Sequence, residues 1–466
     1  LHVWDDVPER FREIIRKEYV VVKGAKEPSQ KQGAANEIHR PTLDDYFTLQ
    51  RGTTYKSRLL GRPGPVLLGL ATIQRNGGFR TDSLQTYGGD SPTKLLVQSG
   101  ELYLSLKDVT QSADLLGAVA RLPRDHDPGR LTQDTVKLQP KRSDVPLDYL
   151  YWLLRTPQYR EYCRAHATGT TNLGLAREDF LAFPAPQPTE LQQRIVAILE
   201  ALDAKISLNR RVNETLEAMA RALFKSWFVD FDPVRAKAAG RDPGLPKHIA
   251  DLFPDSFEDS VMGEIPKGWE AATLSDIATL NPESWSNESR PEMIDYVDLS
   301  NTKWGRVETV TRYSRDDAPS RAQRVLRPLD TIVGTVRPGN GSYALISAND
   351  LTGSTGFSVL RPQRDMYVEF VYLAATSAEN IQALAHLADG GAYPAVRLEV
   401  VASTPVARPK EDIVGAFSRA TGPMLLKIAD NERESRTLEA LRDTLLPKLI
   451  SGEVRVRGAE RFVEIG

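Results

Sequence analysis

The chain has 466 residues, more than one hydrophobic core usually accommodates, so two or three domains are expected. Its net charge of −2 and pI near 6.4 exclude a uniformly basic protein that wraps DNA, so nucleic-acid binding would depend on local patches. The single cysteine, Cys163, excludes an internal disulfide and a thiolate zinc cluster, and it is typical of a reducing compartment. Because no apolar run reaches the length of a membrane span either, we expect the protein in the cytoplasm.

The first two segments of the chain differ sharply in composition. Residues 1–41 are an N-terminal extension that we expect to be partly disordered, because KGAKEPSQKQGAANE (23–37) has almost no apolar content. Residues 42–188 mix short apolar runs such as ELYLSL (101–106) with turns and helical stretches. This pattern predicts a first globular domain of the α+β class.

A long helix is predicted at 189–231, directly after the proline-rich PAPQPTE (184–190). Thr189 is a plausible N-cap, and Glu190 suits a helix N-terminus. A heptad seam is predicted from apolar residues at 191, 195, 198, 202, 212, 216, 219 and 223. Asn209 lies on this seam, where it either fixes the register of a helix pair or is tolerated as the seam frays.

The remaining segments repeat the same order. Residues 232–267 are rich in Pro, Gly and Asp and are predicted to be a linker. A second α+β domain follows at 268–409, then a second long helix at 410–455, which Pro447 should kink, and a C-terminal tail at 456–466.

The sequence contains an internal duplication. TLEAMARALF (215–224) returns as TLEALRDTLL (437–446), and TLDDYFTL (42–49) resembles TLSDIATL (273–280). Tyr151 pairs with Tyr372 at an offset of 221, and Asn209 with Asn431 at an offset of 222. A nearly constant offset across strand, loop and helix predicts two homologous domains. The two helices, each with one apolar stripe, should pair as an antiparallel coiled coil between those domains.

Catalytic signatures are absent from the sequence. It holds no GxxxxGK[ST] phosphate loop, no GxGxxG, no HExxH and no [DN]PP[YF] tetrapeptide of amino-methyltransferases. GEIPK (263–267) only superficially resembles a nuclease motif. Two related domains on a spacer without an active site indicate a protein that binds a ligand with two half-sites, and DNA is the obvious one.

At this point the sequence resembles the specificity subunits of type I restriction-modification systems, over about 42–455. The specific phrases are GTTNLGLAREDFLAFPAPQPTELQQRIVAIL (169–199), ETLEAMARALFKSWFVDFDPV (214–234), GEIPKGWEAATLSDIA (263–278) and TLEALRDTLLPKLISGEV (437–454). The resemblance implies two target-recognition domains, each reading one half of a split asymmetric DNA site. It also implies that the helices set the spacing and dock two methyltransferase subunits, that a restriction-translocase subunit can join, and that this subunit is itself non-catalytic.

The same resemblance implies that S-adenosylmethionine belongs to the methyltransferase partner, with no cofactor or metal here. Two features depart from the family pattern. Residues 1–41 have no role in it, and the second repeat reads Asp-Ile-Val where Gln-Gln-Arg follows Leu191.

Polar side chains at turns and strand ends are the candidates for contacts with DNA. For each of them an ordinary solvated turn is the alternative. The candidates are Thr53, Thr54, Tyr55, Lys56, Ser105, Lys107, Thr170, Thr171 and Asn172 in the first domain, and Trp285, Arg337, Asn340, Ser342, Tyr343 and Tyr393 in the second.

The aromatic phrase at the end of the first helix allows two interpretations. Phe224, Trp227, Phe228 and Phe231 either dock the methyltransferase or are buried against the adjacent domain. At the level of the whole chain, the alternatives to a DNA-specificity subunit are a coiled-coil scaffold for protein-binding domains and a complete restriction enzyme. The missing motifs argue against the last.

Overall fold

The structure is a computed structural model. It describes residues 19–21, 41–81, 84–110, 112–170, 172–286, 288–391, 394–450 and 454–456, with only the backbone of 19–21, 448–450 and 454–456. The predictions for Thr171, Tyr393 and most of segments 1–41 and 456–466 therefore lie outside the described residues. Two compact units are present: the described residues up to Ile206 with those from Ser435 onward, and Ser207–Glu434.

Eleven helices lie within the described part of the chain. Two of them, α5 and α11, are far longer than the rest. In chain order the helices are α1 (Leu43–Tyr46), α2 (Leu147–Leu153), α3 (Pro157–Ala165), α4 (Arg177–Leu181), α5 (Glu190–Phe228), α6 (Asp232–Ala238), α7 (Lys247–Ala250), α8 (Val368–Ala375), α9 (Ala378–Leu387), α10 (Leu398–Ala402) and α11 (Glu411–Ile450).

The strands up to residue 175 belong to the first unit, including the N-terminal β1, which pairs with the last strand of the chain. They are β1 (Tyr19–Val21), β2 (Phe47–Arg51), β3 (Val66–Leu68), β4 (Leu96–Val97), β5 (Leu102–Ser105), β6 (Lys107–Asp108), β7 (Val119–Arg121), β8 (Gly129–Leu131), β9 (Thr135–Pro140), β10 (Ala167–Thr168) and β11 (Leu173–Leu175).

The later strands belong to the second unit, apart from β26. They are β12 (Phe257–Ser260), β13 (Gly263–Pro266), β14 (Glu270–Thr273), β15 (Ala278–Leu280), β16 (Met293–Val297), β17 (Thr302–Lys303), β18 (Arg306–Val307), β19 (Thr311–Ser314), β20 (Ala322–Leu326), β21 (Thr331–Gly334), β22 (Tyr343–Leu345), β23 (Leu351–Ser354), β24 (Phe357–Pro362), β25 (Pro405–Arg408) and β26 (Val454–Val456).

The two units contain sheets of the same topology. An antiparallel sheet runs β2-β9-β5-β7 in the first unit and β15-β24-β21-β22 in the second. A second sheet places β3 parallel to β8 and β4 antiparallel to it. Its counterpart places β16 parallel to β23 and β20 antiparallel, with β19 as an added edge strand. The α+β class and the homology of the two domains, predicted from the repeat, are therefore confirmed.

The repeated phrases adopt the same local structure. In TLDD the main-chain N–H of Thr42 donates to the Asp45 carboxylate at 2.7 Å, and in TLSD the N–H of Thr273 donates to Asp276 at 2.7 Å. Each phrase is a capping box that starts a short helical turn before the first sheet strand. The second helix of the pair that follows the sheet is capped by Thr156 in one domain and by Ser377 in the other. Each cap hydroxyl accepts a hydrogen bond from the main-chain N–H three residues later.

The long helices pair antiparallel within each unit. In the first unit Ile195 and Leu199 share a core with Leu446, and Arg442 donates to Asp203 at 2.7 Å. In the second unit the rings of Phe224 and Phe417 lie 6.1 Å apart. The antiparallel pairing predicted from the two apolar stripes is thus confirmed, and α5 starts after the capping residue Thr189, which accepts from Gln192 N–H.

Two predictions about these helices were wrong at particular residues. Ile195 and Asn209 are buried on the predicted seam of α5, but the other buried residues lie mostly one position later, so that Met219 is 51% exposed while Ala220 is fully buried. The reason is that α5 packs against both α11 and the second domain, which widens and rotates its apolar face. Pro447 also does not interrupt α11, which continues to Ile450.

The segment 232–267 is folded into the second unit. Val234 of α6 and Phe253 after α7 are buried in its main core, and β12 and β13 form a hairpin whose tip exposes Val261 and Met262.

Candidate nucleic-acid interface

In the first domain the loop that follows β2 holds the candidates Thr53, Thr54, Tyr55 and Lys56, and all four are exposed. Arg130 of β8, itself 3% exposed, donates to the Thr53 hydroxyl at 3.2 Å and to the Thr54 main-chain oxygen at 3.3 Å.

The same arginine is held in turn. Its guanidinium lies 4.7 Å from the centre of the Tyr87 ring, and the Tyr87 hydroxyl accepts from Lys56 N–H at 3.3 Å. Hydrogen bonds from the buried Arg130 and to Tyr87 therefore hold the loop in place, while its side chains are exposed to solvent.

The segment around this loop carries a positive charge, of which the sequence-based candidates include only Lys56. Between residues 51 and 62 the sequence RGTTYKSRLLGR contains Arg51, Lys56, Arg58 and Arg62 and no carboxylate, and all four cations are exposed. A local run of cations without acids is what phosphate binding requires. This run of cations is present in the sequence, but the net charge of −2 for the whole chain gives no indication of it.

Ser105 and Lys107 leave the central strand of the same sheet, and only one of them faces solvent. Lys107 is half-exposed and lies 3.4 Å from Asp134. Ser105 is fully buried, and its hydroxyl donates to the main-chain oxygens of Lys107 and Asp134. The prediction that Ser105 contacts DNA is therefore corrected: its side chain supports the turn from inside.

Thr170 and Asn172 lie at the tip of the β10–β11 hairpin, with Gly169 in the left-handed region at φ 95°. A Cβ at Gly169 would lie 2.4 Å from the Asn172 main-chain oxygen, so only glycine fits there. Strand β11 pairs with β6, which places Gly174 beside Lys107. Thr53 pairs with Thr132, two residues before Asp134, which contacts Lys107. The loop after β2, the turn at Lys107 and the β10–β11 hairpin therefore lie together at one edge of the domain.

Trp285 of the second domain occupies the position of Thr54 in the first. Its indole N–H donates to the Thr352 hydroxyl at 3.0 Å, and its main-chain N–H donates to Gln323. Thr352 of β23 pairs with Tyr296 of the parallel strand β16, and Arg130 of β8 pairs with Leu67 of the parallel strand β3. These two strand pairs belong to the corresponding sheets of the two domains. Both domains thus tie the loop after their first strand to the same place in the second sheet, with different side chains.

The loop VRPGNGSY places two of its four candidates on the surface. Arg337 and Asn340 are exposed, and Arg337 has φ 48°, an unusual conformation for a residue other than glycine. Its main-chain N–H donates to Pro394 at 2.7 Å. Backbone strain of this kind is often found at functional sites.

The other two candidates of that loop are corrected. Ser342 is 7% exposed and donates to the Leu299 main-chain oxygen at 3.0 Å. Tyr343 is 6% exposed, and its hydroxyl accepts from Arg221 of α5 at 3.3 Å. Burial raises the pKa of Tyr343, against the opposing effect of the Arg221 charge. Both side chains attach the loop to the domain and to α5 instead of facing a ligand.

The aromatic residues at the end of α5 are buried, so their assignment to partner docking is also corrected. Phe224, Trp227, Phe228 and Phe231 are all 9% exposed or less. Trp227 lies 5.1 Å from Phe253, and Phe228 lies 4.9 Å from both Phe370 and Phe417. Of the two interpretations open in the sequence, burial against the adjacent domain is the one observed.

Within the described residues, no group of three or more His, Cys, Asp or Glu side chains is arranged to hold a metal ion. Among the helices described, none is both long enough and apolar enough to cross a membrane.

The chain is similar in sequence to a family of known proteins. Residues 115–218 match the model of the type I restriction modification DNA specificity domain. The chain is 27% identical over 368 residues to the type I restriction enzyme HindI specificity subunit of Haemophilus influenzae, covering 68% of this chain and 79% of the relative. It is 25% identical over 337 residues to the MjaIX specificity subunit of Methanocaldococcus jannaschii, covering 68% and 71%.

The fold agrees with the sequence comparison. The crystal structure of the type I restriction-modification S subunit from M. genitalium matches with a TM-score of 0.50 at 17% identity, over 90% of this chain and 98% of that one. This likeness shows the fold: two like α+β domains with paired long helices. In sequence, the chain is similar to the specificity subunits of type I restriction-modification systems.

Proposed function

We propose that each of the two domains reads one half of a bipartite, asymmetric DNA site. The observation that carries this proposal is that one sheet topology presents loops of different chemistry at equivalent positions. Residues 51–62 are basic, whereas the equivalent PESWSNESRPEM (282–293) contains Glu283, Glu288 and Glu292 and one arginine. Two domains with one scaffold and different surfaces suit two different half-sites.

In this proposal α5 and α11 set the spacing between the half-sites and dock two methyltransferase subunits. The aromatic residues first considered for docking are buried, so docking would use the exposed faces of the helices. Leu208, Met219 and Leu426 are apolar side chains between 46% and 60% exposed on those helices, and exposed apolar groups of this size favour a protein partner.

The chain would itself be non-catalytic, with restriction-translocase subunits joining the complex in the cytoplasm. The methyl donor S-adenosylmethionine would bind to the methyltransferase partner, with no cofactor in this chain. The absence of a phosphate loop and of an amino-methyltransferase tetrapeptide from the sequence supports this division of labour.

Methylome sequencing of cells that express the chain with its cognate methyltransferase subunit tests the proposal. A split motif with two unlike halves is expected. Replacing Thr53 and Lys56 by alanine should relax the motif in one half only, because those side chains belong to the first domain. Replacing the exposed Glu264 by glutamine serves as the control. The absence of any split motif would reject the function and favour a scaffold that binds only proteins.

A further inference from the structure

Trp304 is a large aromatic side chain in an unusual place. It forms the turn between β17 and β18 with φ 48°, in the left-handed region that bulky residues rarely adopt, and it is 52% exposed. Its ring covers Gly341 of the VRPGNGSY loop, where a Cβ would lie 2.6 Å from a ring atom. The next residue, Gly305, lies where a Cβ would come within 2.9 Å of the Tyr372 hydroxyl.

The first domain has a comparable turn, between Ile73 and Phe79, that is one residue longer than the turn between Thr302 and Val307, and in it Asn76 and Gly77 have positive φ. Asn76 has φ 62°, its N–H donates to the Asp114 main-chain oxygen at 2.9 Å, and Gly78 N–H donates to Val119 at the start of β7. In the second domain Trp304 N–H donates to the Gly341 oxygen at 2.7 Å, and Gly305 N–H donates to Tyr343 at the start of β22.

Both turns therefore contain left-handed residues, which in the first domain are Asn76 and two glycines. Asparagine adopts that conformation at little cost, whereas tryptophan does not. The Trp304 ring packs on Gly341 and lies 6.1 Å from the Tyr343 ring, yet half of its surface stays in water, where it is open to a ligand.

The surroundings of Trp304 favour nucleic acid as its ligand. Lys303 and Arg306 flank it in the sequence KWGR, and Arg337 and Asn340 lie in the loop that its ring covers. Arg306 lies 3.9 Å from Glu214, with side chains 42% and 62% exposed, so this ion pair is weak and can be exchanged for a phosphate. An aromatic side chain between two cations is an arrangement that contacts bases while the cations bind the backbone.

We propose that Trp304 contacts the DNA bases of the half-site read by the second domain, together with Arg337 and Asn340. This inference rests on the proposed function, because it takes the second domain to be a DNA reader. It adds a specificity-determining residue in a turn where the first domain has Asn76 and two glycines instead.

The decisive variant is Trp304→Asn, which removes the ring and places at this turn a residue that tolerates a positive φ, as Asn76 does in the first domain. Asparagine relieves the backbone but loses the ring contacts with Gly341 and Tyr343, so the melting temperature should change little. The assembled complex with its methyltransferase should bind a duplex carrying the wild-type motif roughly 5- to 150-fold more weakly, the range expected for removal of one aromatic that stacks on a base. Discrimination against a duplex with one half scrambled should fall, while discrimination at the other half stays.

Two further variants sharpen the test. Trp304→Phe keeps an aromatic ring and should retain most of the affinity. Leu329→Asn is the matched control, since Leu329 is another exposed apolar residue with positive φ, at 72°, beyond the other end of the β21–β22 ladder. Its affinity for DNA should equal that of the wild type.

An unchanged affinity in Trp304→Asn would overturn the inference while the proposed function stands, provided that the wild-type complex methylates a split motif. A lower melting temperature with a loss at both halves would also overturn it, because the ring would then serve the fold. Loss of the methyltransferase from the purified complex would assign Trp304 to a protein contact instead. If the wild-type chain specifies no split motif, the proposed function itself fails.

Discussion

Asn209 of α5 lies against Asn431 of α11, its own equivalent in the duplicated sequence, and its side-chain amide donates to the Asn431 main-chain oxygen at 3.4 Å. Asn431 in turn donates to the side-chain oxygen of Asn213 at 2.8 Å. Asn209 and Asn431 are each only 2% exposed. Hydrogen bonds between buried polar residues fix the register of a helix pair, because a shifted pairing would leave them unsatisfied.

Replacing Asn431 by alanine should therefore destabilise the protein by about 1–3 kcal/mol, the cost of leaving buried polar partners unsatisfied. The melting temperature of the full chain measures this. Replacing the neighbouring Asp430, whose side chain is 60% exposed, should change it little. Equal melting temperatures for the two variants would show that the asparagines are merely tolerated on the seam.

Stability at acidic pH should depend on Glu283. Hydrogen bonds from Arg327 and Arg361 lower the pKa of its carboxyl from 4.5 to about 2. Between those values the unfolded state binds more protons than the folded state. The contribution is thus complete above about pH 4.5 and is lost as the pH falls toward 2.

The size of that contribution is limited, because the Glu283 side chain is 36% exposed and solvent screening keeps it below about 1 kcal/mol. Denaturation of Glu283→Gln at pH 7 and pH 3 tests it. The variant should lose less stability than the wild type over this interval, and an identical loss in both chains would contradict the expectation.

The basic segment 51–62 should bind phosphates. Replacing Arg58 by alanine is expected to weaken binding to specific and non-specific duplexes alike, and to reduce the slope of log K against log salt by about 1. Fluorescence anisotropy of the complex over a salt series measures the slope. Arg142, 53% exposed and 3.1 Å from Asp144, is the control arginine. A slope that Arg58→Ala leaves unchanged would remove the segment from the interface.

Trp227 should matter for folding more than for assembly. Because it is 2% exposed among Phe228, Phe253 and Phe417, replacing it by alanine is expected to cost about 3–5 kcal/mol. Thermal denaturation should show a large fall for Trp227→Ala and a smaller one for Trp227→Phe. A variant that melts normally but no longer copurifies with the methyltransferase would restore the docking role.

Arg337 should read a base. If its guanidinium contacts guanine, Arg337→Ala is expected to cost about 1–3 kcal/mol of DNA binding and to relax the motif at one position. Methylome sequencing of cells expressing the variant reveals the relaxed position. Because Arg337 has a positive φ, Arg337→Gly is a useful companion that removes the side chain without retaining the strain. An unchanged motif in both variants would reject the assignment.

The duplication was predictable because it repeats short sequence phrases that form the same local structure. The Thr42–Asp45 and Thr273–Asp276 capping boxes, like the α5 cap at Thr189, each involve residues only three apart in the sequence. The position of the buried seam on α5 was harder to predict. Apolar spacing locates a stripe, but Met219 and Ala220 exchange places once α5 covers a domain as well as a helix. Sequence periodicity cannot separate two packing partners on one helix.

The site was harder to predict than the fold. Ser105 was chosen because it is polar and ends a strand, yet β5 is covered on both faces, and all four of its residues are buried. Such a strand lacks the alternation that would mark an outward side chain. Nothing in the sequence marks the φ of Trp304 as positive, so its exposed ring at a tight turn becomes visible only in the structure.

The anchoring of the loop after β2 has a consequence for evolvability. Arg130 and Tyr87 hold that loop largely through main-chain groups, so its path does not depend on which side chains occupy residues 54–56. Substitutions there would alter the chemistry offered to a ligand at nearly constant geometry. A library randomised at those three codons is therefore a rational starting point for engineering new preferences into this scaffold.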